Sequence, residues 1–199
     1  MIAKELDSII SLISRLPGMG EKSATRIIIH LLKHKSSVLS HLIEYLKIAR
    51  DNTKFCKICH NIDVNDICSI CSDKRRDKDT ICIVCDITDL WAIEKAHFFN
   101  GVYHVLGGKL SAIDGVTPSD LNINTLSDRL ASKSVKEVII ATSADIDGQT
   151  TLFYTHDQIK SFDHVKITTL SHGVPIGTCF EYLDQNTIIT AFNRRGEIQ

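Results

Sequence analysis

The sequence predicts a multidomain α+β protein with a helical N-terminal region, a small cysteine-rich module, an α/β domain with a mostly parallel sheet, and a helical C-terminal tail. Three observations support this prediction. Apolar residues recur at helical spacing through the first quarter of the chain. Two closely spaced cysteine pairs come next. Beyond them, short apolar runs alternate with segments of helical periodicity, which is typical of α/β domains.

The N-terminal region, residues 1–54, is predicted to form three helices. Apolar residues recur there in the pattern of a helix with one buried face. Pro17 and Gly18 interrupt the pattern after the first helix, because neither residue favours a helix interior. The three predicted helices cover residues 2–13, 21–35 and 38–49.

The cysteine-rich module, residues 55–79, contains two C-x-x-C pairs. Structural Zn²⁺ sites take four tetrahedral ligands, and two tight turns of this kind supply four thiolates without strain. Four unrelated buried cysteines, or two disulfides, are the alternatives, and either would have to reproduce both spacings together. His60 is a further candidate ligand, which a complete cysteine set makes dispensable. We therefore predict one structural Zn²⁺ per chain, held by Cys56, Cys59, Cys68 and Cys71.

A charged run over residues 72–79 marks the boundary to the α/β domain, residues 80–171. The apolar run at residues 81–85 predicts a strand that is buried on both faces of a parallel sheet. The C-terminal tail, residues 172–199, is predicted to be helical. Further strands are predicted at 102–106, 137–141 and 165–170, and helices at 89–98, 119–131, 148–160, 178–183 and 187–195.

Composition restricts the location and the partners of the protein. Seven cysteines and the lack of a secretory signal indicate a reducing compartment, so we expect a cytoplasmic protein. No apolar run approaches the length of a membrane span. Residues 1–79 hold 14 Lys and Arg against 10 Asp and Glu, whereas residues 80–199 hold 9 against 14. The net charge of −1 therefore hides a basic first part, which favours a polyanionic partner.

The turn between the first two predicted helices is a candidate phosphate-binding site. Gly18 and Gly20 let a phosphate approach the free N–H groups of the next helix, where the helix dipole favours an anion. Lys22 and Arg26 lie four residues apart on one face of that helix and would flank the same phosphate. A plain helix–helix turn is the alternative. The pattern resembles the helix-hairpin-helix motif of DNA-binding proteins that do not read sequence, with Gly18, Gly20, Lys22 and Arg26 as its candidate DNA-binding residues.

Acidic residues follow two of the predicted strands. Ligands of open parallel sheets bind at the carboxyl ends of the strands, where this sequence places Asp86, Asp145 and Asp147. Two carboxylates at this spacing before a glycine are able to hold Mg²⁺. Aspartate is also favoured as a helix N-cap, and the sequence leaves both interpretations open.

Together these segments resemble the bacterial recombination mediator RecR family over nearly the whole chain. The motifs occur in the order of that family, and the stretch from Tyr103 to Ser111 is the most specific of them. The matching segments are 16–24, 56–77, 103–111, 114–115, 141–142, 148–151, 172–177 and 181–184.

The resemblance implies a helix-hairpin-helix, a four-cysteine zinc finger, a Toprim domain over residues 80–171, and a C-terminal oligomerisation element over residues 172–199 that helps to build a ring tetramer or a dimer. It also implies a non-catalytic, sequence-independent DNA clamp and adaptor in recombinational DNA repair. The expected partners are DNA and the RecO-like and RecF-like repair proteins, which help to load the recombinase onto single-stranded DNA gaps.

The acidic site departs from that of active Toprim enzymes, and the departure argues against catalysis. Those enzymes carry a glutamate at the end of the first strand and a D-x-D pair after a later one. This sequence has Cys85 in the first place, and Ser143 with Asp145 in the second. Cysteine and serine do not replace carboxylates around Mg²⁺, which is a hard ion. Two alternatives remain: a Mg²⁺-dependent Toprim nuclease that uses Asp86, Asp145 and Asp147, and a zinc-finger docking module that does not bind DNA.

Overall fold

The computed structural model describes residues 3–33, 37–171, 173 and 177–193. Predictions that involve residues 1–2, 34–36, 172, 174–176 and 194–199 lie outside the described residues. The chain divides into two units, Met1–Thr53 and Lys54–Gln199.

The first unit is helical, as predicted. Its three helices are α1 (Lys4–Ser14), α2 (Glu21–Lys33) and α3 (Ser37–Asn52). Helices α1 and α2 pack against each other through a small core of Ile10, Ala24 and Ile28. The side chain of Ala24 is fully buried, so the two helices approach each other closely at this point. Helix α1 ends before Pro17, because a proline inside the helix would remove a backbone hydrogen bond.

The second unit begins with the cysteine-rich module. A short antiparallel pair, β1 (Lys54–Phe55) and β2 (Ile62–Asp63), places Phe55 opposite Ile62. The turn between these strands carries the first cysteine pair. The short helix α4 (Ser69–Ser72) and its N-cap residue carry the second pair. The module therefore presents its cysteines from two turns, as their spacing predicts.

The remainder of the second unit contains, in chain order, β3 (Thr80–Val84), α5 (Ile87–Lys95), β4 (Val102–Val105), α6 (Ile123–Ala131), β5 (Glu137–Ala141), α7 (Ile146–Ile159), β6 (Lys166–Thr169) and α8 (Gln185–Asn193). The four strands form one parallel sheet in the order β4-β3-β5-β6. In β3, Ile81 and Ile83 pack with α6 and α7, whereas Cys82 and Val84 pack with α5. Both faces of the sheet are thus buried, which explains the continuous apolar run.

Two predicted helices are wrong in part. The sequence predicts a helix over residues 119–131, but Pro118–Asp120 forms a separate 3-10 turn and α6 begins only at Ile123. The carboxylate of Asp120 accepts hydrogen bonds from the backbone N–H of Thr117 at 2.8 Å and from its hydroxyl at 2.7 Å. These bonds close the turn as a unit of its own. The predicted helix over residues 178–183 is likewise reduced to the 3-10 turn Phe180–Tyr182.

Among the described residues, no helix combines the length and the apolar character that a bilayer-crossing helix needs.

Candidate metal centre and nucleic-acid interface

The four cysteines, Cys56, Cys59, Cys68 and Cys71, lie together. Their sulfur atoms are all within 4.8 Å of one another, and Cys59 Sγ lies 3.5 Å from Cys68 Sγ. A tetrahedral Zn²⁺ with Zn–S bonds of about 2.3 Å places its sulfur ligands about 3.8 Å apart. All four side chains are buried free thiols. The cluster therefore fits a closed structural zinc site, which leaves no open position for a substrate.

Local backbone geometry positions these sulfur atoms. The backbone N–H of Cys68 donates to Cys56 Sγ at 3.3 Å, and that of Cys71 donates to Cys68 Sγ at 3.5 Å. Both bonds hold a sulfur atom in place within the cluster. His60 reverses the chain after the first pair with a φ of 62°, and its Nε2 atom lies 2.9 Å from Thr125 Oγ1. His60 is thus engaged outside the four-ligand cluster.

The zinc module is fastened to the α/β domain. The backbone N–H of Val105, on β4, donates to the carbonyl of Cys59 at 2.8 Å, and Ile70 packs against the core beside α5. In the linker, Arg76 forms an ion pair with Glu94 and also donates to two backbone carbonyls. The hydrogen bonds from Arg76 hold the pKa of Glu94 below its usual range. These contacts fix the orientation of the metal site on the sheet.

The hairpin of the N-terminal unit exposes the residues that we expect to contact DNA. Gly18 has a φ of 74°, a conformation that favours glycine. A β-carbon at Gly18 or at Gly20 would meet no heavy atom within 4 Å, so the turn is open to a ligand. Lys22 and Arg26 are exposed on α2, one helical turn apart. The hairpin therefore combines two cations with the unpaired N–H groups that begin a helix.

The carboxyl ends of β3 and β5 meet at one edge of the sheet, where the predicted acidic surface lies. Asp145 is the N-cap of α7, and its Oδ1 accepts hydrogen bonds from the N–H of Gly148 at 2.7 Å and from the hydroxyl of Ser143 at 2.9 Å. Its Oδ2 accepts from Lys109 Nζ at 2.7 Å. The Lys109 ammonium, together with these two donors, lowers the pKa of Asp145 to about 2. The carboxylate is therefore already engaged by protein groups.

The other members of the predicted acidic surface have similar local roles. Asp86 is the N-cap of α5 and accepts from the N–H of Thr88 at 2.9 Å. Asp147 lies in the first turn of α7, where a negative charge complements the helix dipole. Burial raises the pKa of Cys85 to about 11, so its thiol is neutral at pH 7. Of the two interpretations that the sequence leaves open, these contacts are those of helix caps.

Lys109 belongs to this cluster, although the sequence interpretation does not include it. It lies 36 residues from Asp145 in the chain, in the glycine turn that follows β4. Strand β4 is a parallel neighbour of β3, so its carboxyl end opens at the same edge of the sheet. The position after a third predicted strand makes Lys109 one of several candidates, and only the strand order of the folded sheet places it beside Asp145.

The fold and these sites define a class of protein: a multidomain protein with a helical hairpin, a closed four-cysteine zinc finger, and a parallel α/β domain of the Toprim type whose acidic residues cap helices. Models of protein families match this chain accordingly. They are the RecR helix-hairpin-helix over residues 6–50, the RecR zinc finger domain with four cysteine ligands over residues 53–73, and the Toprim domain over residues 79–171.

Relatives along the full chain give the family. The recombination protein RecR of Anaplasma phagocytophilum is 47% identical over 96% of this chain and 98% of its own length. The proteins of that name from Brucella melitensis and Mesorhizobium japonicum are each 46% identical over 96% of this chain and 94% of their own length. This chain therefore belongs to the RecR family. Its four-cysteine finger holds a structural zinc.

Proposed function

We propose that this protein is a non-catalytic, sequence-independent DNA clamp and adaptor in recombinational DNA repair, where it helps partner proteins to load the recombinase onto single-stranded DNA gaps. The observation that carries the proposal is the exposed pair of Lys22 and Arg26 beside an open glycine turn, in a hairpin of the RecR type. The relatives named recombination protein RecR support the process in which it acts.

The chemistry of the hairpin explains why binding would not depend on sequence. Gly18 and Gly20 offer backbone N–H groups, and Lys22 and Arg26 offer charge, all of which suit phosphates rather than base edges. Each neutralised phosphate releases counterions, so affinity falls as salt rises, with a slope of about −0.7 per phosphate on single strands and about −0.9 on duplex DNA. Two cations per subunit give modest affinity, which assembly into a ring multiplies.

The experiment is a fluorescence-anisotropy titration with short single-stranded and double-stranded DNA across a salt series. The double variant Lys22→Ala with Arg26→Ala should bind several-fold more weakly and flatten the salt slope by about 1.4 per subunit on single strands. Lys33→Ala removes an exposed cation from the other end of α2 and serves as the control. If the folded double variant kept the affinity and the slope of the unaltered protein, the hairpin would not be the contact site.

The α/β domain, in this proposal, does not catalyse a reaction on DNA. Asp145 is paired with Lys109, Asp86 and Asp145 cap helices, and the thiol of Cys85 is neutral. Two of the three carboxylates that a Mg²⁺-dependent nuclease would use, those of Asp86 and Asp145, are thus engaged by protein groups. Plasmid and single-stranded DNA should remain intact in the presence of Mg²⁺. Cleavage that is abolished by Asp145→Asn would establish the nuclease instead.

A docking module that does not bind DNA is the remaining alternative. It predicts capture of RecO-like or RecF-like proteins without DNA affinity even at low salt. The same anisotropy titration, carried out with and without such a partner, separates the docking module from the clamp.

We propose that DNA and both types of repair protein are partners of this chain and that it acts in the cytoplasm.

Assembly into a ring tetramer or a dimer completes the proposal. On α3, Leu42, Ile43 and Leu46 are 43%, 61% and 61% exposed, and apolar surface of this kind commonly contacts another chain. Sedimentation velocity tests the assembly, and a monomer at working concentrations would contradict it.

We propose a division of the chain into a helix-hairpin-helix region, a zinc finger with its linker, a Toprim domain and an oligomerisation element. These four parts cover residues 1–54, 55–79, 80–171 and 172–199, in that order.

A further inference from the structure

Arg129, on α6, is a partly buried cation for which the described residues supply no carboxylate partner. Its Nη1 atom donates to the backbone carbonyl of Tyr103 at 2.7 Å and to Nδ1 of His104 at 3.2 Å, so the guanidinium lies against β4. None of the eight ion pairs found in the described part of the chain includes Arg129. Taking a charge out of water is costly unless an opposite charge compensates for it. The surroundings of this side chain must therefore supply that charge.

The imidazole rings beside Arg129 do not supply it, because an imidazole is neutral or cationic but not anionic near pH 7. His104 Nε2 lies 2.8 Å from the carbonyl of Asn122, so this nitrogen carries the proton and donates. His104 Nδ1 then accepts from the guanidinium, which has donors alone. The ring of His104 is therefore neutral, so it accepts a hydrogen bond from Arg129 but does not compensate for its positive charge.

The cysteine cluster, whose thiols become thiolates when they bind Zn²⁺, shares a cavity with Arg129. Arg129 and Cys71 line one cavity of about 210 Å³, together with Ile58 from the first cysteine turn. Strand β4 also contacts both groups. The carbonyl of Tyr103 accepts a hydrogen bond from the guanidinium of Arg129, and the N–H of Val105 donates one to the carbonyl of Cys59. Burial lowers the pKa of Arg129, and the four cysteines, Cys71 most strongly, act in the opposite direction. The shared cavity thus places the guanidinium beside the cluster.

We propose that Arg129 compensates part of the negative charge of the zinc tetrathiolate and thereby strengthens the hold of the finger on its metal. Four thiolates around one dication leave a net charge of −2 in a buried site. The finger supplies the ligands, and the α/β domain supplies the counter-charge. Residues outside the ligand set that tune a metal centre typically change its affinity by about 10- to 100-fold. Zinc retention is then coupled to the docking of the finger on the sheet.

The test uses the full-length, zinc-loaded protein and three variants. Arg129→Gln keeps a donor for the carbonyl of Tyr103 but removes the charge, whereas Arg129→Lys keeps the charge. Arg50→Gln is the control, because it removes the same charge from an exposed arginine of α3 that pairs with Asp51. Equilibrium competition with a chromogenic chelator measures the zinc affinity. We expect Arg129→Gln to lose about 10- to 100-fold in affinity, Arg129→Lys to recover most of it, and Arg50→Gln to match the unaltered protein.

A spectroscopic measurement separates the charge effect from a purely structural role. In the Co²⁺-substituted protein, loss of a nearby cation raises the energy of the sulfur electrons, so the sulfur-to-cobalt charge-transfer bands of Arg129→Gln should move to lower energy. The bands of Arg129→Lys should stay near those of the unaltered protein. Equal zinc affinity and equal bands in a folded Arg129→Gln would overturn the proposal. If Arg129→Gln does not fold, Arg129→Lys decides, because a charge-retaining variant that binds zinc weakly also contradicts it.

Discussion

His104 lies fully buried on β4, and both of its hydrogen bonds require a neutral ring. Protonation of Nδ1 would place a second cation against Arg129. Replacement by glutamine, His104→Gln, keeps a side-chain N–H for the carbonyl of Asn122 but removes the group that titrates. We therefore expect His104→Gln to have a lower stability at neutral pH and a weaker dependence of that stability on pH.

The magnitude follows from the pKa of the ring. Burial, and then the charge of Arg129, lower the pKa of His104 from 6.5 to about 3. Between these two values the unfolded chain binds a proton at this ring, whereas the folded protein does not. The contribution of the neutral ring to the free energy of unfolding is therefore fully present above pH 6.5 and is lost as the pH falls. From about pH 7.5 to about pH 5.5 this single group should remove about 1.4 kcal/mol from the free energy of unfolding.

Urea unfolding of the zinc-loaded protein at these two pH values measures the loss. Acid also weakens zinc binding, but this contribution is common to both proteins and cancels in the difference between the unaltered protein and His104→Gln. His156→Gln, which replaces an exposed histidine on α7, is the control and should follow the unaltered protein. Parallel pH dependences for the unaltered protein and His104→Gln would refute the reasoning.

Two more substitutions probe the finger and the sheet edge. Cys59→Ser removes one of four zinc ligands, and a structural zinc supplies on the order of 10 kcal/mol of folding free energy. We therefore expect this variant to lose its bound zinc and to unfold locally, as measured by metal analysis and hydrogen exchange. A full equivalent of bound zinc would contradict this expectation. A β-carbon in Gly148→Ala would overlap the carbonyl oxygen of Ser143, so the free energy of unfolding, measured with urea, should fall by about 1–3 kcal/mol. Gly20→Ala, whose β-carbon meets no neighbour, should stay close to the unaltered protein, and an equal loss in both variants would contradict the steric argument.

Much of the fold can be predicted because its signals are local. The continuous apolar residues of β3 and β5 identify central strands, since each must be buried on both faces. The cysteine spacing identifies the metal site, because the ligands of each knuckle are neighbours in the chain. The start of α6 is less predictable, since the side chain of Asp120 closes a separate turn that helical periodicity does not reveal.

The parts of the sites that the sequence does not reveal depend on contacts between distant residues. Lys109 reaches Asp145 because the order of the strands brings two loops to one edge, and no spacing in the sequence encodes that order. Arg129 likewise comes to line one cavity with Cys71 only when α6 packs beside β4. A lysine in a glycine turn and an arginine in an amphipathic helix look ordinary until the sheet is assembled.

Two cations of the Toprim domain lie where negatively charged or metal-ligating side chains gather. At the carboxyl edge of the sheet, Lys109 supplies the positive charge opposite Asp145 that a divalent cation supplies in a metal-dependent site. The ammonium group of Lys109 is covalently part of the chain, so it does not dissociate from that edge as a bound metal ion can. Arg129, which donates to the carbonyl of Tyr103 on β4, lines one cavity with Ile58 and Cys71 of the finger. The α/β domain thus carries one fixed positive charge beside Asp145, at the carboxyl edge of its sheet, and another at the cavity that Cys71 lines.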